Sequence, residues 1–297
     1  MKKLFILIVF PFTLFAQSKK VDSVKVFYLG GQSNMDGYGY NKDLPKSLSK
    51  EFKDIWIFHG NPTKDERTDG GKGIWSPLTS GHGRGFSSDG KENKLSDRFG
   101  IELSFAKKLQ ELYPNQKIAL IKYSRGGTSI DTLGNRTGNW DHNFRGKTGK
   151  NQYDYFLETV KNAYAQTDID GDGIRDVLVP SGIIWMQGES DAPSEEIALR
   201  YYDHLSTLMN LIRAAFRVDD LPVVIGKISD SWNNKQGKVW KYGELVQAAQ
   251  EKFVLKDKKA AIVRETRYYK YSDPYHYNSE GYIDLGNKFA EALERLK

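Results

Sequence analysis

The chain has 297 residues, 44 Lys and Arg against 38 Asp and Glu, no Cys, and 39% hydrophobic and 13% aromatic residues. This composition excludes a collagen-like, disulfide-stapled or disordered chain, a zinc site built on thiolates, and a thiol nucleophile. The net charge of +6 raises nucleic acid as a partner, yet the basic residues are interleaved with acidic ones, as on a solvated surface, so no nucleic-acid partner is expected.

Residues 1–16 open with Lys2 and Lys3, continue as an apolar run from Leu4 to Phe15 and end on the small Ala16, the layout of a secretory signal peptide. The run is shorter than the ~20 residues needed to span a bilayer, so no stable membrane insertion is expected. Removing it takes away two Lys and no acid and lowers the net charge from +6 to +4. The expected organisation is an exported protein, secreted or periplasmic, with residues 1–16 as the signal and residues 22–297 as one domain.

Short apolar, β-rich runs then alternate with stretches of helical period, the pattern of βαβ units around a parallel sheet. Strands are predicted at Val24–Leu29, Lys117–Tyr123, Ser181–Met186, Pro222–Ile228 and Ala260–Val263, with a possible extra one at Ile55–Phe58. Helices are predicted at Ile101–Tyr113, Tyr153–Gln166, Glu195–Phe216, Tyr242–Phe253 and Ser279–Leu296. In the first of these Leu103, Ala106 and Leu109 share a face and Pro114 stops the helix. The expected fold is a three-layer α/β/α sandwich with a central parallel sheet of about five strands. Three long polar stretches, 38–50, 61–98 and 132–150, follow the first two principal strands, on the edge where doubly wound sheets bind ligands.

The first strand runs into Gly30-Gly31-Gln32-Ser33-Asn34-Met35-Asp36-Gly37. A Ser just past a buried strand, among glycines that permit a sharp turn, is placed to act as a nucleophile. Such a Ser needs a base, and among five scattered histidines His276 stands out. In Asp273-Pro274-Tyr275-His276, residues three apart share one face of a short turn, so the carboxylate can hold the imidazole. No pair of histidines has metal-ligand spacing, which argues against metal-dependent hydrolysis. Two further strand ends, Ser124-Arg125-Gly126-Gly127-Thr128-Ser129 and Trp185-Met186-Gln187-Gly188-Glu189-Ser190-Asp191, offer N–H donors for an oxyanion.

Taken together, GQSN at 31–34, GGTS at 126–129, QGESD at 187–191 and DPYHYNSEGY at 273–282 resemble the sequence blocks of the SGNH hydrolase superfamily. The similarity is to the sialate O-acetylesterase-like, family 6 carbohydrate esterase branch, and it covers nearly the whole chain after the signal. It implies the flavodoxin-like SGNH fold and a serine esterase acting on O-acetylated carbohydrates without a catalytic cofactor. By position it implies Ser33 as nucleophile, Asp273 and His276 as its partners, and an oxyanion hole of the Ser33 N–H, Gly126 or Gly127, and Gln187. Met186 departs from the branch, which often has His there. Gln32, Asn34, Glu189 and Trp140 are candidates for substrate contact, Trp140 by stacking on a sugar ring or else as a buried loop anchor. Glu189 and Asp191 are expected to shape the oxyanion loop by hydrogen bonding. Glu102, in the first turn of its helix, is expected mainly to complement the dipole.

Asp168-Ile169-Asp170-Gly171-Asp172-Gly173-Ile174-Arg175-Asp176 matches a calcium loop at positions 1, 3, 5, 6 and 9, but Val179 stands where the bidentate Glu belongs. The expectation is either a structural Ca²⁺ clip held by Asp168, Asp170, Asp172 and Asp176 or a solvated acidic turn. Two rivals to the esterase reading are a non-catalytic, calcium-dependent glycan-binding protein and a lipid or thioester hydrolase of the same superfamily. The polar loops, poor in residues to line an acyl pocket, count against the second.

Overall fold

The structure is a computed structural model that describes residue 21, residues 23–134 and residues 137–296. The predicted signal, residues 1–16, lies outside the described residues. The central sheet has seven strands: β1 (Ser23–Gly31), β2 (Ile55–His59), β3 (Trp75–Pro77), β4 (Lys117–Ser124), β5 (Val177–Met186), β6 (Val223–Gly226) and β7 (Ala260–Val263). Their order is β7-β6-β5-β1-β4-β2-β3, all parallel except β3, which pairs antiparallel with β2 at the edge.

The helices are the single turn α1 (Ser33–Asp36), α2 (Glu102–Leu112), α3 (Gln152–Ala165), α4 (Glu195–Phe216), α5 (Gly243–Lys256) and α6 (Ser279–Glu294). The alternation of strand side chains assigns them to two faces. Phe27 of β1 meets Phe105 of α2 edge-on, whereas its neighbour Tyr28 meets Phe156 of α3 and Phe216 of α4. The α6 side chain Leu293 also lies beside Phe27, against the backbone of Gly182. Helices therefore cover both faces, and β1, buried from Val26 onward, is the middle of the core.

All six strands read from the sequence are present. β5 is longer than predicted: it begins at Val177 and crosses Pro180, where the register against β1 slips between Val26 and Phe27. Pro180 has no N–H for the ladder, and the irregularity accommodates it. The remaining strand, β3, lies inside a stretch read as polar loop, because a three-residue strand ending in Pro carries no periodicity. The same polar stretches form two small antiparallel pairs, Gly39–Tyr40 with Arg98–Phe99 and Ser87–Ser88 with Asn93–Lys94.

The register positions the site. Gly31 stands opposite Ser124 of β4 on one side and Met186 of β5 on the other. The first three sequence blocks thus leave the sheet at one level of its carboxyl edge, where open parallel sheets hold their ligands.

Candidate active site

At the end of β1 the chain must turn with almost no room. Gly31 has φ 143°, and a Cβ there would overlap the Met186 carbonyl. Its successor Gln32 donates its N–H to that carbonyl (2.9 Å), and its own carbonyl accepts from Met35 and Asp36 (both 2.8 Å), which closes α1. Ser33 is thereby the first residue of a helical turn, whose opening N–H groups lack intrahelical partners. Gly126 comes close from β4: a Cβ on it would lie 3.2 Å from Ser33 Cβ and 3.4 Å from Asp36 Oδ2.

The fourth block precedes α6. Asp273 Oδ2 lies 2.7 Å from His276 Nδ1, and Asp273 Oδ1 accepts the N–H groups of Tyr275 (2.8 Å) and His276 (2.9 Å). Burial pushes the Asp273 carboxyl up, but the bonds from the His276 ring and the two N–H groups outweigh it and leave its pKa below the usual carboxylate value. Burial lowers His276 below the ordinary imidazole value, although Asp273 draws it upward. A neutral imidazole that donates Nδ1–H to Asp273 has its Nε2 lone pair available to a proton. Tyr38, not anticipated from the sequence, stacks face to face on His276 with ring centroids 3.5 Å apart, and holds the ring plane.

Ser33, His276, Gly126, Gly127 and Gln32 line one cavity of about 430 Å³. Arg84 and Arg125 also line it; among the described residues neither forms an ion pair within 4.0 Å, although Arg84 bonds to Tyr38 and Arg125 acts electrostatically on Asp36 of the same cavity. Trp240 and Tyr275, ring centroids 5.7 Å apart, close another side.

Other predicted residues sit behind this surface. Gln187 is fully buried and does not line the cavity; its Nε2 donates to Asp191 Oδ2 (2.5 Å) and to the Thr128 carbonyl (3.0 Å). In this position it ties the second block to the third rather than facing the cavity. Asn34 donates to Glu189 Oε1 (2.7 Å) and the Tyr275 carbonyl (3.2 Å), and accepts from Tyr282 OH (2.8 Å), so it fastens α1 to the His276 turn. Glu189 is raised above the usual carboxylate pKa by burial and Asp191, for the same reason, to about 7. Asp191 accepts from Ser129 Oγ and the Ile130 N–H besides Gln187, the loop-shaping role expected of it. Trp140 is only 1% exposed, packs edge-on against Trp185 and donates its indole N–H to Thr128 Oγ1 (3.0 Å). That burial leaves no face for a sugar, and the loop-anchor alternative describes it.

Several residues of the site were not singled out. Asp36, three residues after Ser33, also lines the cavity; burial raises its pKa, opposed by Ser124, Lys122, the Gly126 N–H and Arg125. Beneath α1 the fully buried Lys122 spends its ammonium on Glu102 Oε2 (2.8 Å), the Asp36 carbonyl (2.9 Å) and the His82 carbonyl (2.8 Å). Glu102 is thus a buried counter-ion, not chiefly a dipole partner, and its other oxygen accepts the Gly100 N–H (2.8 Å). His59 and His82, distant in sequence, meet at 3.4 Å between their Nδ1 atoms. Burial first and the Lys122 charge second lower both, His82 to about 3. The sequence signal for the pair was slight: one closes β2 and the other sits in a Gly-rich loop.

Away from this edge, Asp168, Asp170 and Asp176 bring carboxylate oxygens within 4.8 Å of one another. Asp172 does not join them; its Oδ1 accepts the Ile174 N–H. Lys117 of β4 places its ammonium 2.5 Å from Asp170 Oδ2 and 3.7 Å from Asp176 Oδ1, and its hydrogen bond holds Asp170 below the usual carboxylate pKa. The donor set suits a hard cation, but an internal ammonium already stands against it.

Among solved structures the chain is similar to a protein of Arabidopsis thaliana (TM-score 0.63, 20% identity, 92% of this chain and 98% of that one). It is likewise similar to NanS (0.58, 16%, 93% and 98%) and to a carbohydrate acetylesterase from Xanthomonas citri (0.59, 17%, 91% and 56%). At these identities the likeness establishes the fold. No curated protein matches the chain. The family described as carbohydrate esterase, sialic acid-specific acetylesterase matches residues 23–295, nearly all that the structure describes. The chain, with its three blocks on one sheet edge, belongs to this family and is a carboxylic ester hydrolase.

Proposed function

We propose that the protein removes O-acetyl groups from an acidic carbohydrate through Ser33, His276 and Asp273. The observation that carries this reading is the meeting of Ser33 and His276 in one cavity, with Asp273 2.7 Å behind the imidazole. Ser33 Oγ attacks the acetyl carbonyl carbon while His276 Nε2 takes the hydroxyl proton, and Asp273 stabilises the imidazolium. The oxyanion turns to the Ser33 N–H and the backbone of Gly126–Gly127, where one donor is worth about 2.7–4 kcal/mol. In this scheme Gln187 acts by fixing the Thr128 carbonyl and Asp191. His276 returns the proton to the sugar oxygen as the C–O bond breaks, and water, deprotonated by the same imidazole, releases acetate from the acetyl-serine.

An acidic sugar is favoured because Arg84 and Arg125 line the cavity without an ion pair to a carboxylate within 4.0 Å among the described residues, so that a substrate carboxylate can meet them. Ser33→Ala is expected to lower p-nitrophenyl acetate hydrolysis by at least about 10³-fold; wild-type rates in that variant contradict the mechanism. Acetate release from O-acetylated sialic acid should exceed that from acetylated xylan, and the reverse order contradicts the acidic-sugar assignment.

A further inference from the structure

The loop after β6, residues 229–242, has features that the reaction at Ser33 does not use. Asp230 clasps it from within: its carboxylate accepts the N–H groups of Trp232 (2.7 Å), Val239 (3.0 Å) and Trp240 (2.7 Å). Ser231 Oγ donates to the Pro274 carbonyl (2.8 Å), two residues before His276, and Ser229 Oγ bonds the hydroxyls of Tyr271 and Tyr277. The loop is therefore stitched to the turn that carries Asp273 and His276. At one end of the clasp Trp240 lines the cavity. At the other, Trp232 is 62% exposed and has φ 57°, the left-handed region that bulky residues avoid.

Burial does not reward this strain, since the ring it presents stays in solvent. The Lys238 ammonium lies 5.6 Å from the indole centroid and is itself paired with Glu244, and Gly237 approaches the ring edge. An exposed aromatic face on the loop that also supplies Trp240 to the carbohydrate-esterase cavity has the chemistry to stack on the apolar face of a sugar ring.

We infer that Trp232 forms an outer sugar subsite, so that the substrate is a glycan whose acetylated sugar enters the Ser33 cavity while a linked neutral sugar stacks on the indole. The inference rests on the carbohydrate reading proposed above. It extends the substrate from a single acetylated sugar to a chain.

The test compares kcat/KM for an O-acetylated sialic acid linked to a neutral disaccharide with that for the free O-acetylated sialic acid. The wild-type protein should prefer the longer substrate by about tenfold. Trp232→Ala should abolish the preference and Trp232→Phe should keep most of it. Equal ratios in wild type and Trp232→Ala overturn the subsite. Titrating tryptophan fluorescence with the same trisaccharide in a Ser33→Ala background needs no turnover: saturable quenching that Trp232→Phe removes supports the subsite, and quenching unaffected by it, or none, overturns it. A protein inactive on both sugars, yet quenched through Trp232, leaves the subsite standing and rejects the proposed reaction instead.

Discussion

Two hydrogen-bonded pairs flank Ser33, and they are built in opposite ways. Asp273 and His276 come from one turn, three residues apart, on the cavity rim, with Asp273 open to water and His276 mostly covered. Lys122 and Glu102 come from β4 and the start of α2, are wholly buried, and hold the Asp36 carbonyl at the end of the turn that begins with Ser33. A short local pair at a cavity wall keeps its charge adjustable, which proton transfer requires. A buried pair with every ammonium donor occupied is suited to holding a backbone in place, because losing either partner strands a charge away from water.

The contrast is sharpest where each pair is cut. Asp273→Asn should lower kcat on p-nitrophenyl acetate by about 10⁴-fold, because the amide no longer favours the Nδ1–H tautomer. The thermal midpoint should change little, and a variant that instead unfolds would place Asp273 with the structural pairs. Lys122→Met should do the reverse first, destabilising the fold by about 3–5 kcal/mol, read as a Tm lower by roughly 10 °C. Glu102→Gln, which keeps hydrogen-bonding oxygen and volume, should cost less; denaturant titration of both orders them, and equal losses would discount the charge.

The pH dependence separates the pairs more finely. The proposed chemistry needs neutral His276, whose pKa burial holds below the ordinary imidazole value of about 6.5. As pH falls, kcat/KM on p-nitrophenyl acetate should stay level through 6.5 and decline only below it, about tenfold per unit. An acid limb centred above 6.5 would show that the Asp273 bond outweighs burial. The smallest effect concerns a third pair, Lys117 with Asp170. Lys117→Gln should make the Tm rise more on adding millimolar calcium than the wild type does, by roughly 1–2 °C. A wild-type rise as large would mean that calcium displaces the ammonium.

Much of the fold was readable because burial writes a period into the chain. The run Val24–Leu29 read as a strand, and Leu103, Ala106 and Leu109 read as one helix face. The turn that presents Ser33 and the contact between Asp273 and His276 were readable for a related reason, since glycines that permit a sharp turn and an i,i+3 pair are local patterns. Trp75–Pro77 escaped because three residues carry no period. Trp140 was offered as a substrate contact on residue type and Gln187 as an oxyanion donor by resemblance, and neither type nor position in a block says which way a side chain points.

By itself the sequence determined the alternation of strands and helices, the order of four short blocks and the local geometry of the Asp273–His276 turn, all properties of residues close along the chain. Only the tertiary structure decided that Gly31 stands level with Ser124 and Met186, that Lys122 reaches Glu102 beneath Ser33, that Tyr38 lies on His276, and that Arg84 and Arg125 face one cavity. These depend on which strands lie side by side and in what register, which is set by how the whole core buries its apolar faces.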